Sequence, residues 1–246
     1  MIRGNSINIY SKDIKVNEFI TIHVPSVGEA IDKEDEYFEA ISLIISTPYA
    51  MMAQLDEMGI DFTTIDDWQL FNILFPVLQE IDTSLIFKDI DLKEFYPGKN
   101  TDSNEVVLFN PETGAVIDRL AHYQMADILR KVLFIEKQNK KPGNEEAKEY
   151  LLYKAKKELK KRRRKIANGQ KEDSQFQDAL VALVNREEFP YTYETVKDIT
   201  VYQFYSSLYQ IVHKVNYDNL MHGCYAGTVD VKSVNKTELS WLKINE

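Results

Sequence analysis

Cys224 is the only cysteine in the chain, and it stands two residues after His222, with His213 nine residues before that histidine. A thiolate with two imidazoles could bind a metal or form a nucleophile and base. Zinc sites commonly need four ligands in paired clusters, and this region offers three with no second pair. A reactive cysteine also needs a positioned base, which spacing alone does not supply. A packed cysteine beside two ordinary histidines is therefore the preferred reading, and no catalytic residue, metal or cofactor is assigned. An enzyme of unfamiliar type would have to start from these three residues.

Asp56, Glu57, Asp61, Asp66 and Asp67 form an acidic group that could hold a divalent cation. They lack the alternating oxygen ligands, central glycine and terminal glutamate of a calcium loop. A solvated acidic surface able to attract a basic partner fits better, with Asp56 and Glu57 as protein-binding candidates. The sharpest charge signal is Lys160, Lys161, Arg162, Arg163, Arg164 and Lys165. Such a run would bind phosphate backbones by counterion release. On a helix, however, six consecutive residues point in every direction and make a collar, with no interleaved aromatics to stack on bases. A contact to acidic protein surface, or a solvated helix, is preferred over nucleic acid. Tyr202 and Tyr209, seven residues apart, share a helix face offset from the apolar stripe and are candidates for a protein contact.

Phosphate loops, dinucleotide fingerprints, the two-histidine metalloprotease motif and the nucleophile elbow are all absent from the sequence. The chain has 246 residues, 44% of them apolar and 28% charged, which is ordinary for a folded protein with a sizeable core. Nine glycines and seven prolines are few for an all-β chain. A single cysteine excludes an internal disulfide, and neither a signal peptide nor a membrane-spanning run is evident, so a cytoplasmic protein is expected. The net charge of -9 conceals an asymmetry: residues 140–171 carry 13 basic side chains against four glutamates. That interval sums to +9, leaving -18 for the rest.

These residues must be positioned by an α+β fold that is predominantly α-helical, with a small antiparallel β element near the N-terminus. Alternation at Ile7 and Ile9, and again from Phe19 to Val24, predicts two short strands joined through Ser11-Lys12-Asp13. Ser26 with Glu29 fits a capping box. Helices are expected over Glu34–Ser46, from Pro48 to Gly59, and from Asp66 or Thr64 through Leu78. Tyr96-Pro97-Gly98-Lys99-Asn100 reads as a turn. Glu105–Asn110 and Ala115–Asp118 read as a hairpin that could extend the N-terminal strands into one sheet. Further helices are predicted over Leu120–Gln138, over Glu145–Ala167, after Asp173 or Ser174, and after Asp198 or Thr200. The last is the clearest amphipathic pattern, with Val201, Phe204, Tyr205, Leu208, Ile211, Val212 and Val215 on one face. Composition suggests an α+β region over 1–138, a basic helical connector over 139–171 and a helical region over 172–246.

Two segments carry a family resemblance. Ile20-Thr21-Ile22-His23-Val24-Pro25-Ser26-Val27-Gly28-Glu29, followed by Glu36-Tyr37-Phe38, forms one. Tyr191-Thr192-Tyr193-Glu194-Thr195-Val196-Lys197-Asp198-Ile199-Thr200-Val201-Tyr202-Gln203-Phe204, then Tyr217-Asp218-Asn219 and the layout of Gly223 to Trp241, forms the other. In these the sequence resembles tail assembly chaperone-like or minor structural proteins of phages infecting Gram-positive bacteria. The resemblance implies a non-enzymatic tail morphogenesis protein, located in the host cytoplasm or in the virion tail. Its implied partners are tape-measure or tail-tube proteins. Self-association and nucleic acid are further candidates, and no membrane is expected.

Overall fold

A computed structural model describes residues 7–100, 104–138, 141–169 and 174–242. Ser26 and Thr200, far apart in sequence, lie side by side. Each caps a helix with a reciprocal box: Ser26 with Glu29 at the start of α1 (Val27–Asp32), and Thr200 with Gln203 at the start of α8 (Val201–Tyr225). The Val27 amide donates to the Ile199 carbonyl at 2.8 Å, and the Val201 amide donates to the Pro25 carbonyl at 2.9 Å. The two segments that carry the family resemblance are thus hydrogen-bonded to one another, and their side chains do structural work.

The N-terminal hairpin is β1 (Asp13–Lys15) against β2 (Thr21–His23), with Asp13 opposite His23. The first strand lies later than the alternation at Ile7 and Ile9 predicts. Asn17 decides the position: its Oδ1 accepts from the Phe19 and Ile20 amides, fixing a turn at residues 16–19. The segment Ser11-Lys12-Asp13, expected as a connection, instead runs into β1.

A second correction concerns Tyr96 to Lys99. Despite its Pro-Gly turn signal, this stretch is strand β3, paired with β4 (Val106–Phe109), which pairs in turn with β5 (Val116–Ile117). Pro97 is tolerated because β3 is an edge strand, where a missing donor breaks no inner ladder. Gly98 is required by close approach, since a Cβ there would lie 2.9 Å from the Phe109 ring. The two sheets remain separate; besides its partner in β1, Ile22 of β2 bridges to Phe87.

The helical body comprises α2 (Glu34–Ile45), α3 (Met52–Glu57), α4 (Asp67–Leu78) and α5 (Arg119–Leu133), with α5 packed on both α2 and α8. Asp66 and Asp118 cap α4 and α5. The fifth helix ends earlier than predicted, because Phe134 turns left-handed at φ 56° and its amide caps the last turn. Ile135, an apolar residue within the predicted helix, is consequently exposed.

Next come α6 (Glu145–Ala167) and α7 (Gln175–Val184), the latter capped by Ser174; Asp173, the other candidate cap, lies outside the described residues. Phe176, Leu180, Leu183, Val196, Val201 and Phe204 share one core with Ile20, Ile22, Tyr37, Ile41 and Met125. A smaller core of Met52, Leu55, Phe62 and Leu70 receives Leu151, Leu152 and Ala155 from α6. The fold is α+β and mainly helical.

Candidate functional site

The acidic group and the basic helix, read separately in the sequence, meet in the structure. Lys148 reaches Asp61 at 2.7 Å, Lys156 reaches Asp56 at 2.5 Å, and Arg163 grips both oxygens of Glu57 at 2.7 and 2.8 Å. These cations sit at intervals of eight and seven residues, which places them on one side of α6. That side also carries Leu151, Leu152 and Ala155, so helix α6 docks on α3 through an apolar strip edged with charge. Hydrogen bonds from Lys148 and from Thr63 hold the Asp61 carboxyl down to about 2. The hydrogen bond from Arg163 likewise lowers Glu57.

No residue of α6 is fully buried, and Lys160, Lys161, Arg162, Arg164 and Lys165 are exposed. Asp56 and Glu57, expected to face a partner protein, are engaged by this chain's own helix. The remaining two acids turn to other cations: Asp66 to Arg119 and Asp67 to Lys137, each at 2.5 Å.

Tyr202 and Tyr209 both pack on Phe134, with ring centroids 5.8 and 5.1 Å apart. They are half-buried, and the left-handed residue that ends α5 supplies the ring they rest on. Only Val201 and Phe204 of α8 are buried. The expectation of a helical core along the whole apolar stripe is corrected: α8 runs past the body, leaving Leu208, Ile211 and Val215 half-exposed and Val212 exposed. The tail folds back along it, with the Ser240 carbonyl 2.8 Å from His213 Nε2 and the Trp241 carbonyl accepting from Gln210.

The helix also separates the residues of the supposed cysteine–histidine cluster. Nine residues place His213 and His222 on opposite faces, and Cys224 lies about 16 Å along the axis from His213. Among the described residues no group of three or more metal-binding side chains is found.

Residues 168–246 match the family model for the YomV second domain. The match relates α7, α8 and the folded-back tail to a phage-derived family. No curated protein and no solved structure matches the chain. The half-exposed face of α8 and the tail that lies along it are inside the matched region; the α3–α6 contact is outside it.

Sequence reasoning missed a cleft of about 660 Å³ between the start of α4, one face of α5 and the segments around Tyr49 and Pro142. Tyr49, Phe62, Trp68 and Tyr123 supply apolar walls, while Arg119, His122 and Arg130 come from a single face of α5 at helical spacing. His122 stacks on Phe71 at 4.2 Å, and its Nε2 lies 3.0 Å from the Ile44 carbonyl, so Nε2 carries the proton. Burial pushes its pKa down to about 4, leaving it neutral at physiological pH. The only signal for this cleft in the sequence was the spacing of His122, Ala126 and Arg130, which a helix reading absorbs as interior.

Proposed function

We propose that the chain is a non-enzymatic phage protein of tail morphogenesis that binds tape-measure or tail-tube proteins during assembly. The reading rests on one observation above others: within the region related to a phage-derived family, α8 and the tail leave large apolar side chains partly or largely exposed. Tyr225 is 82% exposed, Trp241 52% and Leu242 50%. Exposed aromatic and apolar side chains of this size are available to anchor a partner protein. The resemblance in sequence to tail assembly chaperone-like proteins supplies the class of partner.

Co-expression with the tape-measure protein of the same phage tests this directly. The expected result is a larger soluble fraction of that protein and its co-purification with this chain, both reduced by Val212→Lys together with Trp241→Ser. Unchanged solubility and no association would remove the assembly role.

A second reading, nucleic-acid binding, is favoured by the C-terminal part of α6, where Lys160, Lys161, Arg164 and Lys165 are exposed. Anisotropy titrations with DNA and RNA across a salt series decide it. Binding through this run would weaken steeply with salt, and negligible binding at low salt would dispose of it.

A further inference from the structure

The α5 cleft contains a cation that the protein itself does not fully match. Arg130 is only 9% exposed, yet one hydrogen bond, from a guanidinium nitrogen to the Ile45 carbonyl, is its contact to a protein acceptor among the described residues. A guanidinium has five N–H donors in a fixed fork, so most of its capacity remains. No carboxylate among the described residues forms an ion pair with it. The acids that act on it through space, Asp67 and Asp127, are held by Lys137 at 2.5 Å and Lys131 at 2.7 Å. Burial of a cation on these terms is unfavourable unless a further anion completes it.

The rest of the lining limits what that anion can be. Arg119 is matched by Asp66, and Lys137 by Asp67. Asp118 accepts from the Ala121 amide as the cap of α5, and Glu105 also lines the cleft. His122 adds no positive charge. Counting the exposed Lys141, four cations face four carboxylates around the cleft, so it is neutral overall, and Arg130 is the buried cation on which no carboxylate closes. Its remaining surface is aromatic: Tyr49, Phe62, Trp68 and Tyr123. A volume of about 660 Å³ falls within the range of pockets that enclose small organic ligands.

We propose that this cleft binds a small monoanionic ligand, a carboxylate on a flat apolar body, with its carboxylate on the fork of Arg130 and its body between Trp68 and Tyr123. A guanidinium presents paired donors matched to the two oxygens of a carboxylate. Inorganic phosphate lacks the flat apolar body that the aromatic walls would cover.

The test uses the full chain and calorimetric titration with benzoate, 2-naphthoate and indole-3-acetate at up to about millimolar concentrations. The uncharged 2-naphthamide and inorganic phosphate serve as comparisons. At least one carboxylate is expected to bind, 2-naphthoate at least tenfold more tightly than its amide, and phosphate not at all. Arg130→Met should bring 2-naphthoate down to the level of the amide while leaving the amide unchanged. Arg130→Lys, which keeps the charge and loses the fork, should fall between them. No binding by any of the three carboxylates, equal affinity for acid and amide, or a folded Arg130→Met protein that binds 2-naphthoate normally would each overturn the proposal. The comparison of acid, amide and phosphate on the unaltered protein stands even if neither variant folds.

Discussion

Lowering the pH from 7.5 to 5 should destabilise this protein through one side chain. His122 is 3% exposed, stacked on Phe71 and bonded through Nε2 to the Ile44 carbonyl, and burial lowers its pKa from 6.5 to about 4. A group whose folded pKa is depressed keeps its full contribution above the unfolded value. For a histidine, stability is then lost as pH falls, because the unfolded chain takes up the proton first. The loss begins near pH 6.5 and is complete near pH 4. Between pH 7.5 and 5 it amounts to about 2 kcal/mol, and the whole effect is about 3 kcal/mol. Urea denaturation at a series of pH values measures it, with His122→Gln as the reference. The glutamine amide can still donate to the Ile44 carbonyl but cannot take a proton in this range. The carboxyls of Asp61 and Asp82 are held below their ordinary value of 3.8, so their contributions fade only in stronger acid. The difference between wild type and variant should therefore change by about 2 kcal/mol across the window. Parallel curves from pH 7.5 to 5 would show that His122 is not buried neutral, and the account of the cleft wall would fail with it.

Other perturbations give equally definite outcomes. Tyr37 is buried, and its hydroxyl has no hydrogen-bond partner among the described residues, so Tyr37→Phe should leave the urea midpoint unchanged or raise stability by about 1 kcal/mol. Tyr37→Ala should instead cost about 3–5 kcal/mol through the cavity it opens. Ser26→Ala and Thr200→Ala should each cost about 1 kcal/mol as lost caps. Because the two caps sit on hydrogen-bonded neighbours, the double variant should depart from additivity in a double-mutant cycle. Asp56→Lys with Glu57→Lys should loosen α6 from α3, read as faster trypsin cleavage between Lys156 and Lys165; an unchanged cleavage rate would mean that the apolar strip alone seats the helix.

Helix starts were legible because their signal is local. Ser26 with Glu29, Asp66, Ser174 and Thr200 each combine a short side-chain acceptor with the apolar periodicity that follows, and each caps the predicted helix. What failed depended on partners distant in sequence. Tyr96 to Lys99 has turn composition and becomes a strand because β4 offers it a ladder and an edge position. The fifth helix has an apolar pattern as far as Ile135, but Phe134 leaves helical geometry and meets Tyr202 and Tyr209. Periodicity in α8 correctly gave a helix and wrongly gave its burial, since a stripe records which side is apolar and not whether anything covers it. The cleft was not legible at all: its walls come from segments around residues 49, 62, 105 and 142 as well as α5.

The six-residue basic run divides into parts with different physical roles, and this separates the two functional readings. Arg163 lies on the side of α6 that includes Lys148 and Lys156, and it grips Glu57 with two hydrogen bonds. Its charge is already answered within the chain and is the wrong one to remove when asking about phosphate. Lys160, Lys161, Arg164 and Lys165 are all exposed; Lys161, Arg164 and Lys165 turn away from Arg163 at an offset of one or two positions, while Lys160, three positions back, lies beside it. Any nucleic-acid affinity must fall with those four, while the seating of α6 must fall with Arg163 and its carboxylate. Replacing the four by glutamine should leave the amide-exchange protection of α3 and of the docked half of α6 unchanged, whichever partner the exposed end meets. Salt acts on both contacts, so a salt series without this pair of variants would confuse a helix coming loose with a ligand coming off.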